Sequence, residues 1–402
     1  MMVVDLGGGH SAQIVAAAVA WLAPIYLTPS HFLSTVSLDL VFWALASWLV
    51  IRLVRTGDTR LWIAVGAVCG TALLNKDTIV FWAAAAAIGL LSTPERTLLR
   101  SRWALVGGGL AALIASPNIV WEASHHWATL EFLRNLRSQN SSSDIQQFVP
   151  LQLAIMTLAG TAVWVAALHA LRRRPEWRSQ RWLAHGYLAA FLLLFILEGK
   201  AYYLGSWYLP LISVGAIVIE RSWSRHAQKA LLASVVVTGV ATGPIFTPVL
   251  PVRTAVAAGF DTANKDLGGM LGWPHVVAQI ASVVDRLPPA ERADAVVFTQ
   301  NYSEAGAVDR YGPGDGIAAH AISGQNSFWI WGYGQPLPGA VVVAVGIDPS
   351  FLHRYWATVD QVQTLGSDAT TIDPQERGVS IWICQGQKQP WSMIWPAAKH
   401  YP

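Results

Sequence analysis

The sequence predicts a polytopic α-helical membrane protein carrying a C-terminal α/β domain. Three observations carry that expectation. Only 13% of the 402 residues are charged and 53% are hydrophobic, where a soluble globular chain runs nearer a quarter charged. The mean hydropathy is +0.39. The apolar residues are also unevenly placed, with long runs in the first 250 positions and the mixed composition of an ordinary globular domain in the last 150. This excludes a simple soluble enzyme, a disordered chain and a fibrous repeat. Two cysteines exclude a disulfide scaffold or a cysteine-rich zinc module. The formal net charge of +3 matters less than where the charges sit.

A membrane-spanning helix needs roughly 20 mostly apolar residues. Nine segments qualify, near 11–29, 34–54, 61–75, 78–92, 103–119, 150–171, 182–198, 203–220 and 229–249, the third and fourth being short. No basic stretch precedes the first, and Met1 to His10 contains Asp5 and Gly7-Gly8-Gly9, so a cleaved signal peptide is not expected. The basic residues give a direction. Arg52, Arg55 and Arg60 follow the second segment, and Arg96, Arg100 and Arg102 the fourth. Arg172, Arg173, Arg174, Arg178 and Arg181 follow the sixth, and Arg221, Arg225 and Lys229 the eighth. The intervening loops hold only Lys76, Arg134, Arg137 and Lys200. By the positive-inside rule the even-numbered helices end in the cytoplasm, which places the N-terminus inside and residues 251–402 outside.

The expected division is a transmembrane domain over 1–250 and an extracytoplasmic domain over 251–402. Pro244, Pro248 and Pro251 mark the exit from the last helix. Beyond it, Val296-Val297-Phe298, Val341-Val342-Val343 and Ile381-Trp382-Ile383 have the composition of short buried strands. Helical stretches near 274–286, 303–310 and 350–356 complete a small α/β domain with a mainly parallel sheet.

Ionisable side chains in or near the hydrocarbon are costly and therefore informative. Asp39 lies about one turn into the second segment. It fits a helix-start carboxylate favoured by the helix dipole, or a carboxylate lining an outward-facing cavity. Lys76, between Asn75 and Asp77, and Lys200, in Glu198-Gly199-Lys200-Ala201-Tyr202-Tyr203, are the two lysines on the outer side of the helical part. Each fits a side chain snorkelling to the interface. Together with Tyr202 and Tyr203 they also suit a lipid-linked phosphate, lysine offering a point charge and tyrosine a hydroxyl donor. The stretch from Pro117 to Pro150 carries Trp121, Glu122, His125, His126, Trp127 and Glu131. Histidine and glutamate there suit a divalent metal, with His125 as a ligand, or a proton shuttle, while the tryptophans suit an anchored interfacial helix.

Other features point elsewhere. Gly107-Gly108-Gly109 inside a membrane helix suggests close helix packing. Gly312, Gly314 and Gly316 suggest turns, because they do not join a strand to a helix as a dinucleotide loop must. A bridge between Cys69 and Cys384 is not expected, and no basic face interleaved with aromatics supports nucleic-acid binding.

Several of these stretches together resemble the bacterial glycosyltransferase family 39 proteins, relatives of the dolichyl-phosphate-mannose protein mannosyltransferases and of the aminoarabinose transferase that modifies lipid A. The resemblance rests on His31-Phe32-Leu33-Ser34-Thr35 with Asp39, Leu73-Leu74-Asn75-Lys76, and Pro117-Asn118 through Trp121, His125 and Trp127 to Thr129-Leu130-Glu131-Phe132-Leu133. It continues in Gly199-Lys200-Ala201-Tyr202-Tyr203, Asn301-Tyr302-Ser303-Glu304-Ala305-Gly306, Tyr311-Gly312-Pro313 and Ser323-Gly324-Gln325-Asn326 with Trp329.

The resemblance implies a GT-C fold in a bacterial plasma membrane and a polyprenyl-phosphate-linked sugar donor. The sugar would pass, with inversion, to an acceptor (lipid, protein or cell-wall glycan) on the outer face. Lys200 with Tyr202 or Tyr203 would hold the donor phosphate, with Lys76 near it. Asp39 and His125 would face the same cavity, Glu131 would lie on its acceptor side, and a divalent metal is an open possibility. The family pattern begins with a further helix and an outer loop bearing an acidic pair. This sequence is expected to lack them, since Leu6-Gly7-Gly8-Gly9-His10 resembles a point inside that pattern. The competing expectation is therefore a truncated, non-catalytic membrane protein that binds a lipid phosphate or a glycan.

Overall fold

The computed structural model describes residues 1–139, 142–318, 320–366 and 375–401, the side chains of 137–139 and 142–145 excepted. The side chain of Arg137 is thus outside the described residues. The chain forms two compact units, Met1–Glu131 with Arg137–Val249, and Phe132–Leu136 with Leu250–Pro402.

The first unit is helical: α1 (His10–Leu22), α2 (Thr35–Thr56), α3 (Leu61–Asn75), α4 (Ile79–Leu91), α5 (Arg102–Ser124), α6 (Ala128–Gln139), α7 (Ser142–Arg173), α8 (Arg181–Ile196), α9 (Gly205–Ser222) and α10 (Arg225–Phe246). All nine segments expected from the apolar runs are helical. Among the described residues, five helices are long and apolar enough to cross a membrane, six if the bent pair His10–Leu22 and Pro24–Ser30 counts as one span, while α3 and α4 are shorter apolar helices. The bend of 64° in that pair falls where Pro24 cannot donate to the helix ladder and Ala23 is extended.

Local chemistry sets several ends. Ser34 opens α2 by accepting from the Val36 amide at 3.2 Å, and Gly57 closes it at φ 70°. Helix α1 has no side-chain cap of its own; the Glu220 carboxylate of α9 supplies one, accepting from the amides of Gly9 at 2.7 Å and Ala12 at 3.0 Å. Inside α7, Thr157 sits at φ 61°, a left-handed conformation costly for a β-branched residue, and breaks the helix in two.

The helices meet by glycine against backbone. A Cβ on Gly66 would lie 2.0 Å from the Gly107 carbonyl oxygen, so α3 and α5 can cross at this distance only without side chains there. Of the expected packing glycines 107–109, only Gly107 plays that part, since a Cβ on Gly108 or Gly109 would meet nothing within 4 Å. Trp43, Trp182 and Trp207, all fully buried, fill the interior with edge-to-face contacts at 6.4 Å.

The second unit holds a five-stranded sheet: β1 (Val296–Thr299), β2 (Ala321–Ser323), β3 (Val342–Val345), β4 (Trp356–Thr364) and β5 (Ser380–Gln387), in the order β2-β1-β3-β5-β4. One face buries Val297, Val343 and Ile381 under α11 (Trp273–Asp285) and α12 (Tyr302–Tyr311). Helix α13 (Asn326–Trp331) lies against the edge strand β2, and the other face buries Phe298 and Val342 under α14 (Pro349–Tyr355) and α15 (Trp391–Ala398). The sheet is mixed rather than mainly parallel. β1 pairs in parallel with β2 and β3, but β5 runs antiparallel to both β3 and β4. The reason is connectivity: β4 and β5 follow each other with no crossover helix among the described residues between them, and such neighbours pair antiparallel. The expected turns at Gly312 to Gly316 are present as a 3-10 turn ending at Gly316 with φ 87°, and both cysteines are free.

Candidate functional site

The polar residues of the helical unit gather where α2 begins and α3 ends. Asn75 closes α3 and donates from Nδ2 to the Thr35 carbonyl at 2.9 Å, tying the two ends together. Three residues, Lys76 to Thr78, then turn the chain into α4. Asp39 is 5% exposed, and its Oδ1 accepts from the Thr78 hydroxyl at 2.8 Å. A buried carboxylate without such a donor would cost several kcal/mol, of order 1–3 even for one lost bond.

Lys76 is half-buried. Its ammonium lies 4.8 Å from the Tyr203 ring centroid and 5.9 Å from that of Tyr202, and the two rings meet edge to face at 4.8 Å. Burial pulls the Lys76 ammonium below the usual lysine range, and the Asp39 carboxylate pulls it partly back. Its charge is therefore held by a carboxylate and two aromatic faces. Lys200 opens the 3-10 turn Ala201–Leu204 that carries both tyrosines. Thus Asp39, Lys76, Tyr202 and Tyr203 are brought together, with Lys200 at the base of the same turn.

That turn rests on a buried network. Gln152, 3% exposed, donates from Nε2 to the Ala201 carbonyl at 3.0 Å and accepts from the Tyr208 hydroxyl at 2.7 Å. Sequence reasoning did not single out Thr78, Gln152 or Tyr208. Gln152 had the clearest signal, a polar amide inside an apolar helix.

The stretch expected as a long polar segment is mostly helix. α5 runs through Pro117 to Ser124, and α6 starts at Ala128. Between them His126 and Trp127 both adopt left-handed backbone, at φ 56° and 60°. Glu122 (8% exposed) fixes this turn: it accepts from the Thr129 amide at 3.1 Å and the Thr129 hydroxyl at 2.6 Å, capping α6. His125 stacks on Trp121 at 4.3 Å, its Nδ1 lying 2.8 Å from the Trp121 carbonyl. Glu131 lies in the first turn of α6. Asp77 is exposed, yet desolvation by the surrounding chain raises its carboxyl above the usual range, and the Glu122 carboxylate adds to that rise. Among the described residues, no group of three or more His, Cys, Asp and Glu side chains is placed to hold a metal ion. No step below is routed through a metal.

No curated protein and no solved structure matches the chain. Residues 7–121 do match a protein family, and that span contains α1 through most of α5, including Asp39, Lys76 and Thr78. The apolar helices around and beyond this span have the length and composition of a multi-pass membrane protein. Residues 7–121, under a third of the chain, are similar to the family described as dolichyl-phosphate-mannose-protein mannosyltransferase.

Proposed function

We propose that this protein moves a sugar from a polyprenyl-phosphate donor to an acceptor at the outer face of the membrane, with the N-terminus inside and the sheet unit outside. The observation that carries the reading is the Lys76 ammonium, held over Tyr202 and Tyr203 beside Asp39, within the stretch that matches the family. The alternation of arginine-rich loops supports the orientation and a nine-helix, GT-C type arrangement.

In this reading Lys76, Lys200 and the tyrosine hydroxyls bind the donor phosphate. An acceptor oxygen attacks the anomeric carbon from the face opposite the phosphate. The new C–O bond forms as the bond to the phosphate oxygen breaks, that oxygen keeps the electron pair, and the anomeric configuration inverts. Cations placed where the phosphate gains charge stabilise the transition state more than the ground state. Asp39 is buried and engaged by Thr78, so its part is to keep Lys76 charged and placed. The acceptor proton passes to a carboxylate that the acceptor can reach, and exposed Asp77 offers one, its proton affinity raised by desolvation and by the Glu122 carboxylate. His125 and Glu131 lie along the acceptor side.

The test is transfer from polyprenyl-phosphate-mannose in proteoliposomes, read as release of polyprenyl phosphate. Lys76→Ala and Lys200→Ala should each lower the rate about 100-fold, about 2.7 kcal/mol of barrier, with the thermal transition unchanged. Wild-type rates in both variants would overturn the phosphate-site assignment.

A further inference from the structure

The sheet unit contains a cavity of about 460 Å³ at the amino-terminal edge of β1 and β2, away from the carboxyl ends where open α/β sheets usually bind ligands. Its volume falls within the range of small-molecule sites, roughly 300–1,000 Å³. Three kinds of surface meet there. Trp331, the last residue of α13, is 72% exposed. Its ring is braced from behind by Phe328, with centroids 4.7 Å apart at 52°. The chain then turns through Gly332 and Gly334 at φ 88° and 66°, conformations that side chains resist, and this turn forms part of the wall.

The lining also includes Asp294, Asp309 and His320. Asp309 is fixed: its Oδ1 accepts from the Ala321 amide at 3.0 Å and lies 3.3 Å from His320 Nδ1, while 34% of its side chain stays open to solvent. Among the described residues, no lysine or arginine lines the cavity, so it does not suit a phosphate or another anion. A wholly apolar ligand would desolvate two carboxylates without giving them donors.

A pyranose ring meets both demands. One face presents C–H groups that pack on an indole, while its edge presents hydroxyl donors to carboxylates. A quaternary ammonium would need several aromatic faces around it. Here Tyr333 also lines the cavity, but its ring is stacked on Trp391 at 6.0 Å and packed against Trp395 at 5.6 Å, and Phe328 is packed against Trp331, which leaves Trp331 as the most exposed ring. We infer that this cavity is a saccharide-binding site, with Trp331 as the stacking platform and Asp294 and Asp309 as hydroxyl acceptors. It is separate from the residues assigned to transfer and does not depend on them.

The test is saturation-transfer NMR on the full chain in a detergent without a sugar headgroup. The probes are the methyl glycosides of mannose, glucose and N-acetylglucosamine, with tetramethylammonium as the competing cation. At least one glycoside should receive saturation on its ring protons. Trp331→Ala and Asp309→Asn should each cut that signal at least five-fold, with thermal transitions like wild type, and Lys76→Ala should leave it intact. The inference is overturned if no glycoside responds, if only tetramethylammonium does, or if the signal survives Trp331→Ala and disappears with Lys76→Ala. That last result would place sugar binding in the helical unit and leave the proposed transfer reaction standing.

Discussion

Four glycines of the helical unit, Gly66, Gly89, Gly107 and Gly215, lie so close to a facing backbone carbonyl that a Cβ would come within 2.4 Å of its oxygen. Among the described residues of the sheet unit, Gly324 alone makes so close an approach, to the Ala398 carbonyl, and the core around it is built of large rings. Phe298 meets Trp391 and Trp395 at 5.7 and 6.3 Å, and Trp356 meets Trp391 at 5.8 Å. The difference reflects two solvents. Lipid tails are as apolar as leucine, so helices gain little from burying bulk against one another and gain most from close approach. A domain in water gains from every square ångström of apolar surface removed, and aromatic rings bring the most.

The largest effect is expected in the sheet unit. Trp391→Ala should cost about 3–5 kcal/mol, as for other buried aromatics cut to alanine. Amide exchange should rise in β1 and β3 while that of the helical unit is unchanged; equal protection in β1 and β3 would show that the aromatic cluster is not what holds the sheet. Next comes a paired change in the helical unit. Gly66→Ala adds one methyl where there is no room and should cost about 1–3 kcal/mol. Gly108→Ala, one residue from Gly107 but in open space, should be neutral or slightly stabilising. Thermal unfolding in detergent compares them, and equal melting temperatures would break the contrast.

The smallest effect concerns how each unit keeps a carboxyl group out of water. Asp39 has a hydroxyl donor and a nearby cation. Glu304 (1% exposed) faces another carboxyl, Glu376; burial first, then that neighbour, raise it well above the usual range. Between the ordinary carboxyl range and the raised one, the folded unit binds more protons than the unfolded chain. Its stability therefore falls as pH rises through that window. Glu304→Gln cannot ionise, and the amide oxygen can still accept from the Asn301 amide that Glu304 caps at 3.0 Å. It should flatten the pH dependence of sheet-unit melting and raise the transition at pH 8 by about 3 °C. An unaltered slope between pH 5 and 8 would remove the carboxyl pair as its cause.

Much of the helical unit was legible because an apolar run of about 20 residues states its own structure. Lys76, Tyr202 and Tyr203 were legible for a related reason, since a lysine or paired tyrosines at the end of such a run stand out. Their partners were not. Thr78 reaches Asp39 across 39 positions and Gln152 reaches Tyr208 across 56, and no local pattern encodes either meeting. The histidine-rich stretch drew notice to Glu131, but spacing could not tell that Glu122 is the carboxylate that caps α6. In the sheet unit the valine-rich strands announced themselves. β4 did not, because as an edge strand it is largely exposed, with Asp360, Gln361 and Gln363 among its nine residues.

The cap that Glu220 places on α1 carries a consequence for biosynthesis. Gly9 receives its acceptor from a residue 211 positions later. At translation speeds of about 5–20 residues per second, the ribosome takes roughly 10–40 s to cover that distance. Until then the first helix waits in the bilayer with its opening amides held by water or headgroups. A segment made 211 residues ahead of its cap is thus finished late, and a nascent chain stalled before Glu220 holds every residue of α1 without the partner that completes it.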